Sequence, residues 1–118
     1  MPNFANPFQG NVTCKLSNPE LMQALRLDIA SELEAIFLYD AHYLATDDPA
    51  AKAVLADIRD EEKVHVGELI TLMRHLDATE TAFFLDGEDE VKEQLEQLGI
   101  SLAPQPDPAS TVGSLLED

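Results

Sequence analysis

Two short runs of this sequence hold side chains that could bind a metal. Glu62 and His65 stand three positions apart in Arg59-Asp60-Glu61-Glu62-Lys63-Val64-His65. On an α-helix that spacing puts a carboxylate and an imidazole on one face, one turn apart. Thirty residues earlier, Glu32 lies in Ser31-Glu32-Leu33-Glu34. Oxygen donors with one imidazole suit iron or manganese better than copper or a structural zinc. A single Glu-x-x-His is a weak signal by itself. Its weight here comes from where each residue falls in a longer pattern.

Leu55, Ile58, Glu62, His65, Leu69, Leu72 and Leu76 recur at alternating steps of three and four, as do Met22, Leu25, Ile29, Glu32, Ile36, Tyr39 and Tyr43. Each set is the a/d seam of a helix that meets a partner. Each is apolar except near its middle, where the metal-binding types sit. If the two helices fold back on each other at residues 47–48, Glu32 lies about fifteen residues before the turn and Glu62 about fifteen after it. At a rise of about 1.5 Å per residue the two carboxylates come level, with His65 one turn further along. An unpaired carboxylate in an apolar seam costs several kcal/mol or takes up a proton. A bound cation resolves that conflict. So does a second arrangement, a coiled-coil-like dimer whose Glu and protonated His fix the register of a non-enzymatic helical adapter. Arg59 and Lys63 flank Glu62 but fall off the seam.

Di-iron carboxylate bundles draw one Glu-x-x-His from each of two helices and a lone Glu from each of two others. This chain has half of that set. The residues three before His42 and His75 are Tyr39 and Leu72, so neither makes a second motif. The other half must come from a second copy. The expected fold is therefore all-α: an antiparallel two-helix hairpin plus a shorter C-terminal helix, with a four-helix bundle completed by dimerisation. Tyr39 and Tyr43 continue the first stripe as packing residues, and Tyr39, two turns from Glu32, is placed to act on the site from outside the ligand set. Glu34 cannot share the face of Glu32, so it is either a solvated charge or a guide for incoming metal. Glu61 and Glu68 read as surface charges, and His42 and His75 as ordinary histidines.

The elements that must position these groups are marked by caps and breaks. Residues 1–16 contain Pro2, Pro7 and Gly10 and read as an extended arm. Ser17-Asn18-Pro19-Glu20 starts the first helix, with Ser17 or Asn18 as cap. That helix runs to about Ala45, and Thr46-Asp47-Asp48-Pro49 breaks it, Asp48 capping a second helix that runs to Leu76. Asp77-Ala78-Thr79-Glu80 suggests a capping box for a third segment, Asp86-Gly87 an interruption, and Glu88–Leu98 a further helical stretch ended by Gly99. The helical domain is thus 17–99. Residues 100–110, with three prolines, form a stiff linker, and residues 111–118 carry a short apolar tag, Thr111-Val112-Gly113-Ser114-Leu115-Leu116. A tethered apolar peptide of this kind is a ligand for a groove.

Composition narrows the function. The chain has 118 residues, enough for one small domain, and 45% are hydrophobic. Acidic residues number 23 against 7 basic ones, a net charge of −16. Nucleic acid is a poor partner for such a surface, which instead concentrates cations. Cys14 is the one cysteine, so neither an internal disulfide nor a cysteine-based zinc site is expected within the chain. The N-terminus lacks the pattern of a secretory signal, and no apolar run approaches a membrane span. No membrane partner is expected, and the expected location is a reducing cytoplasm.

Ser31-Glu32-Leu33-Glu34-Ala35-Ile36-Phe37-Leu38-Tyr39-Asp40, together with residues 59–65, resembles the encapsulated ferritins, ferritin-like proteins carried inside encapsulin nanocompartments of prokaryotes. The resemblance covers about residues 20–98, and Thr-Val-Gly-Ser-Leu in the tail is similar to the family's cargo-loading peptides. It implies that Glu32, Glu62 and His65 are ferroxidase ligands of a di-iron centre shared by two subunits of a ring-shaped decamer. It also implies oxidation of Fe(II) to Fe(III) with oxygen, mineral storage by the shell, a metal-uptake site at Glu34 and an aromatic near the centre at Tyr39. Ser31 stands where some relatives are acidic, and Leu38 where some are aromatic, which bears on the uptake route rather than the centre. A rival of the same chemistry is a peroxide-reducing rubrerythrin relative, although a cysteine-ligated centre cannot be built from Cys14 alone.

Overall fold

The structure, a computed structural model, describes residues 12 and 14–104. The expected linker beyond Pro104, the tag at 111–118 and most of the N-terminal arm lie outside these residues. The described residues form three helices and no strand: α1 (Asn18–Leu44), α2 (Pro49–Leu76) and α3 (Ala78–Gln97). The all-α class matches the sequence expectation. The chain divides into two compact units, residues 1–81 and 82–118.

The first unit is the α1–α2 hairpin with the opening turn of α3. Ser17, not Asn18, caps α1. Its hydroxyl accepts from the Glu20 amide, and the Glu20 carboxylate accepts from the Ser17 backbone amide at 3.4 Å, so the capping box is complete. Asp48 caps α2 by accepting from the Ala51 amide at 2.8 Å, with Pro49 at the first helical position. Thr46 steadies the turn by accepting from the Asp48 amide. Asp77 opens α3 by accepting from the Thr79 amide. The expected reciprocal arm from Glu80 is used otherwise: its carboxylate pairs with Arg26 of α1.

The core of this unit is small. Met22, Leu25 and Met73 are buried, with Leu21, Ile29, Leu69 and Leu76 packed around them. One expectation is corrected here. Leu72, placed in the seam by strict heptad counting, is 41% exposed, and Met73 beside it is 2% exposed. At about 100° per residue, positions 72 and 73 flank the line through Leu69 and Leu76, which both pack on the core; Met73 lies on the flank that meets Met22 and Leu25, and Leu72 on the other.

In the second unit α3 runs unbroken through Asp86 and Gly87, which corrects the expected interruption. A glycine costs a helix about 1 kcal/mol, less than is lost by ending the hydrogen-bond ladder between two stretches of good helix formers. The helix does stop at Gly99. The Ile100 amide donates to Leu95 O at 2.8 Å and the Gly99 amide to Glu96 O at 2.9 Å, with Gly99 at φ 72°. This is a Schellman end, and it needs a residue free to enter the left-handed region.

Candidate metal centre

The hairpin brings Glu32 of α1 and Glu62 and His65 of α2 to one place. One ligand atom from each lies within 4.8 Å of the others. His65 Nδ1 stands 3.5 Å from Glu32 Oε2 and 3.6 Å from Glu62 Oε2. The carboxylates are mostly covered, with side-chain exposures of 24% and 18%, whereas the His65 side chain is 46% exposed. The cluster thus sits at the rim of the seam, with its imidazole towards the open side.

Its electrostatics are unfavourable as the chain stands. Glu32 faces Glu62, and that contact, helped by burial, raises the Glu32 carboxyl above its ordinary value despite the opposing pull of His65. Burial works against charge on His65, but Glu32 and then Glu62 outweigh it, so the imidazole holds its proton to higher pH than usual. The cations beside Glu62 in sequence are engaged elsewhere. Arg59 pairs with Asp40 at 2.8 Å and with Asp60 at 3.1 Å, and Lys63 pairs with Asp60 at 3.2 Å. Glu32 Oε2 is shut off from solvent and makes no hydrogen bond. A buried carboxylate oxygen without a donor, facing a second carboxylate and an imidazole, fits a divalent cation, which would accept all three as ligands.

The other residues singled out from sequence lie apart from this trio. Tyr39 is half-buried on α1. Glu34 is half-buried as well, and its Oε2 is closed to solvent without a hydrogen bond, so the solvated reading fails for that oxygen. Glu61, Glu68, His42 and His75 are exposed. Sequence reasoning missed the polar ties on the turn side of the site. Lys52 Nζ donates to Tyr43 O at 2.8 Å and lies 4.1 Å from the Tyr43 ring centroid, and the Arg59 guanidinium lies 5.1 Å from the same ring. Asp40 and Arg59 are opposite charges one position from a seam residue on each helix, and that signal could have paired them.

The family model COQ7, ubiquinone biosynthesis protein, matches residues 19–85. The encapsulin nanocompartment cargo protein EncC of Myxococcus xanthus is 43% identical over 77 residues, 65% of this chain and 59% of that protein. The ferritin-like-encapsulin shell fusion protein of Pyrococcus furiosus is 39% identical over 88 residues, 75% of this chain but 26% of that protein. EncB of Myxococcus xanthus is 37% identical over 60 residues, 38% of its length. The match therefore spans less than two thirds of each of these relatives. The crystal structure of the encapsulated ferritin domain from Pyrococcus furiosus superposes with a TM-score of 0.66 at 35% identity, covering 82% of this chain and 96% of that one. With the fold and the sequence agreeing over nearly the whole of that domain, and the COQ7 match falling on the same helices, the chain belongs to the encapsulated ferritin family.

Proposed function

We propose that this chain is a ferroxidase subunit that oxidises Fe(II) to Fe(III) with oxygen at a di-iron site shared between two copies. The observation that carries this reading is the convergence of Glu32, Glu62 and His65 within 4.8 Å, with one Glu32 oxygen buried and unsatisfied. One copy supplies two carboxylates and one imidazole, too few to hold two irons. A second copy doubles the set and covers the open edge of the seam, where His65, Leu72 and Val64 are exposed. On the same reading, such dimers assemble further into a ring-shaped decamer.

The substrate Fe(II) exchanges water for carboxylate oxygens and an imidazole nitrogen. Hard oxygen donors stabilise the ferric product more than the ferrous substrate, which drives the oxidation. Two Fe(II) side by side give one electron each to oxygen, which with two protons leaves as hydrogen peroxide. The raised proton affinities of Glu32 and His65 mean that iron binding releases protons. The surplus of acidic residues concentrates Fe(II) at the surface. Glu34, with its shielded oxygen, serves as a secondary or uptake site, and Tyr39 acts on the centre from outside the ligand set.

The cargo names of the relatives support a place for this chain inside an encapsulin nanocompartment in a prokaryotic cytoplasm, with residues 111–118 docking on the shell and residues 100–110 as tether. No helix among the described residues is long and apolar enough to cross a membrane. The shell's interior would store the mineral.

Stopped-flow oxidation of Fe(II) tests the core of this reading. Wild-type protein is expected to oxidise iron well above the buffer rate, and Glu32→Ala to lose that activity. Oxidation by Glu32→Ala at the wild-type rate would defeat the assignment and leave the register-fixing adapter, which the Glu–His pairing also suits. Faster turnover with peroxide than with oxygen would favour the rubrerythrin-like rival. Deleting 111–118 is expected to abolish co-purification with a co-expressed shell.

A further inference from the structure

We propose that Arg59, through its ion pair with Asp40, is a positioning residue that sets the axial register at which Glu32 stands level with Glu62 and His65. The inference rests on the metal-site reading above and adds to it a group that touches neither metal nor ligand.

The ligands cannot hold that register themselves. Glu32 and Glu62 repel in the absence of a cation, and their contacts with His65, at 3.5 and 3.6 Å, are ion-pair distances without hydrogen-bond geometry. The apolar core that locks α1 to α2 lies on the other side, at Met22, Leu25 and Met73, away from the turn. A helix that slips by one residue moves by about 1.5 Å and turns by about 100°, enough to carry a ligand off the face. On the turn side the short link and the half-buried Ile36, Leu55 and Ile58 keep the helices together, but apolar contact is non-directional and leaves the finer register to polar ties.

Arg59 is built for that task. Asp40 lies eight residues beyond Glu32 along α1, and Arg59 three residues before Glu62 along α2. In an antiparallel pair with Glu32 and Glu62 level, Asp40 is therefore about 7–8 Å nearer the turn than Arg59. Side chains on a helix lean towards its N-terminus, which for α2 is the turn. An extended arginine covers that offset, and its Nη1 meets Asp40 Oδ1 at 2.8 Å. The guanidinium is held in three ways: Nη1 on Asp40, Nε on Asp60 at 3.1 Å, and its carbon 5.1 Å from the Tyr43 ring centroid. The Arg59 side chain is only 19% exposed. A guanidinium fixed at both nitrogen types and against a ring defines a distance and an angle between the helices, which an ammonium does less well. Because its charge is spent on Asp40 and Asp60, Arg59 also does not compete with metal for Glu62.

The test uses the full chain as wild type, Arg59→Met, Asp40→Asn and Arg59→Lys. Co(II) serves as probe, since its visible bands report coordination geometry. Arg59→Met and Asp40→Asn are expected to bind Co(II) about tenfold more weakly, with altered band intensity and unchanged helical content. Arg59→Lys, which keeps the charge but not the fork, is expected to recover only part of the affinity. Metal-free crystal structures of wild type and Arg59→Met should differ in the Glu32–Glu62–His65 distances. Wild-type Co(II) affinity and spectrum in Arg59→Met would overturn the proposal, as would unchanged ligand distances. Co(II) binding by Glu32→Ala as tight as by wild type would instead overturn the metal-site reading, while the structures would still decide the register.

Discussion

The stretch of the hairpin around Met22, Leu25 and Met73 and the stretch around Glu32, Glu62 and His65 are built on the same two helices and the same spacing. They differ in every other respect. The first is apolar and closed to water, and it stabilises the pair by burial. The second is polar and open at His65, and like charge opposes the pairing there. A periodic sequence can thus specify where two helices meet without specifying that every position stabilises the meeting. The core supplies stability, and the site draws on it.

Four measurements can break or sharpen this contrast. Glu62→Ala should lower the iron-oxidation rate by about 100-fold or more while leaving the metal-free chain folded, as read by stopped flow and circular dichroism. An unfolded variant would mean that the site, too, holds the hairpin together. Met73→Ala should do the reverse, costing about 2–5 kcal/mol in chemical denaturation while a chain that remains folded still binds metal at the wild-type ratio.

The third measurement is the effect of pH on the metal-free chain. Glu32 and His65 both hold protons more tightly folded than unfolded, so the unfolded state binds fewer protons and stability falls as pH rises. The Glu32 contribution is complete below its ordinary value of 4.5 and is lost as pH passes its raised value. That of His65 is complete below 6.5 and is lost as pH passes its raised value. Melting temperature should therefore decline from about pH 4.5 upward, and Glu32→Gln should flatten the first part of the decline only. A profile that rises over this range would contradict the crowded-site picture. The smallest effect is the control outside the seam. Gly87 is helical with open space around it, and Gly87→Ala should raise stability by at most about 1 kcal/mol without changing metal binding.

Much of this was legible in the sequence because it depends on local rules. Ser17 with Glu20, Asp48 with Pro49, and Gly99 each follow from backbone groups that need a partner or a conformation at a helix end. The trio was legible because polar residues interrupt two otherwise apolar stripes at matching heights. What escaped depends on geometry across helices. Met73 rather than Leu72 lies on the flank that meets α1, Asp40 meets Arg59 through the lean of a long side chain, and Glu80 leaves its cap for Arg26. The half-exposure of His65 also escaped, because a seam read from one chain takes every member as covered.

The link from α1 to α2 is only Ala45 to Asp48, closed by Thr46 and capped at both ends. Pairing of the two helices is therefore a near-neighbour event along the chain, of the kind that completes within milliseconds of synthesis. Each molecule would then carry its ligands preassembled, and the slow event would be the meeting of two molecules. At low protein concentration the onset of iron oxidation should scale with the square of that concentration, and confinement of many copies in a small volume would act chiefly by shortening the wait.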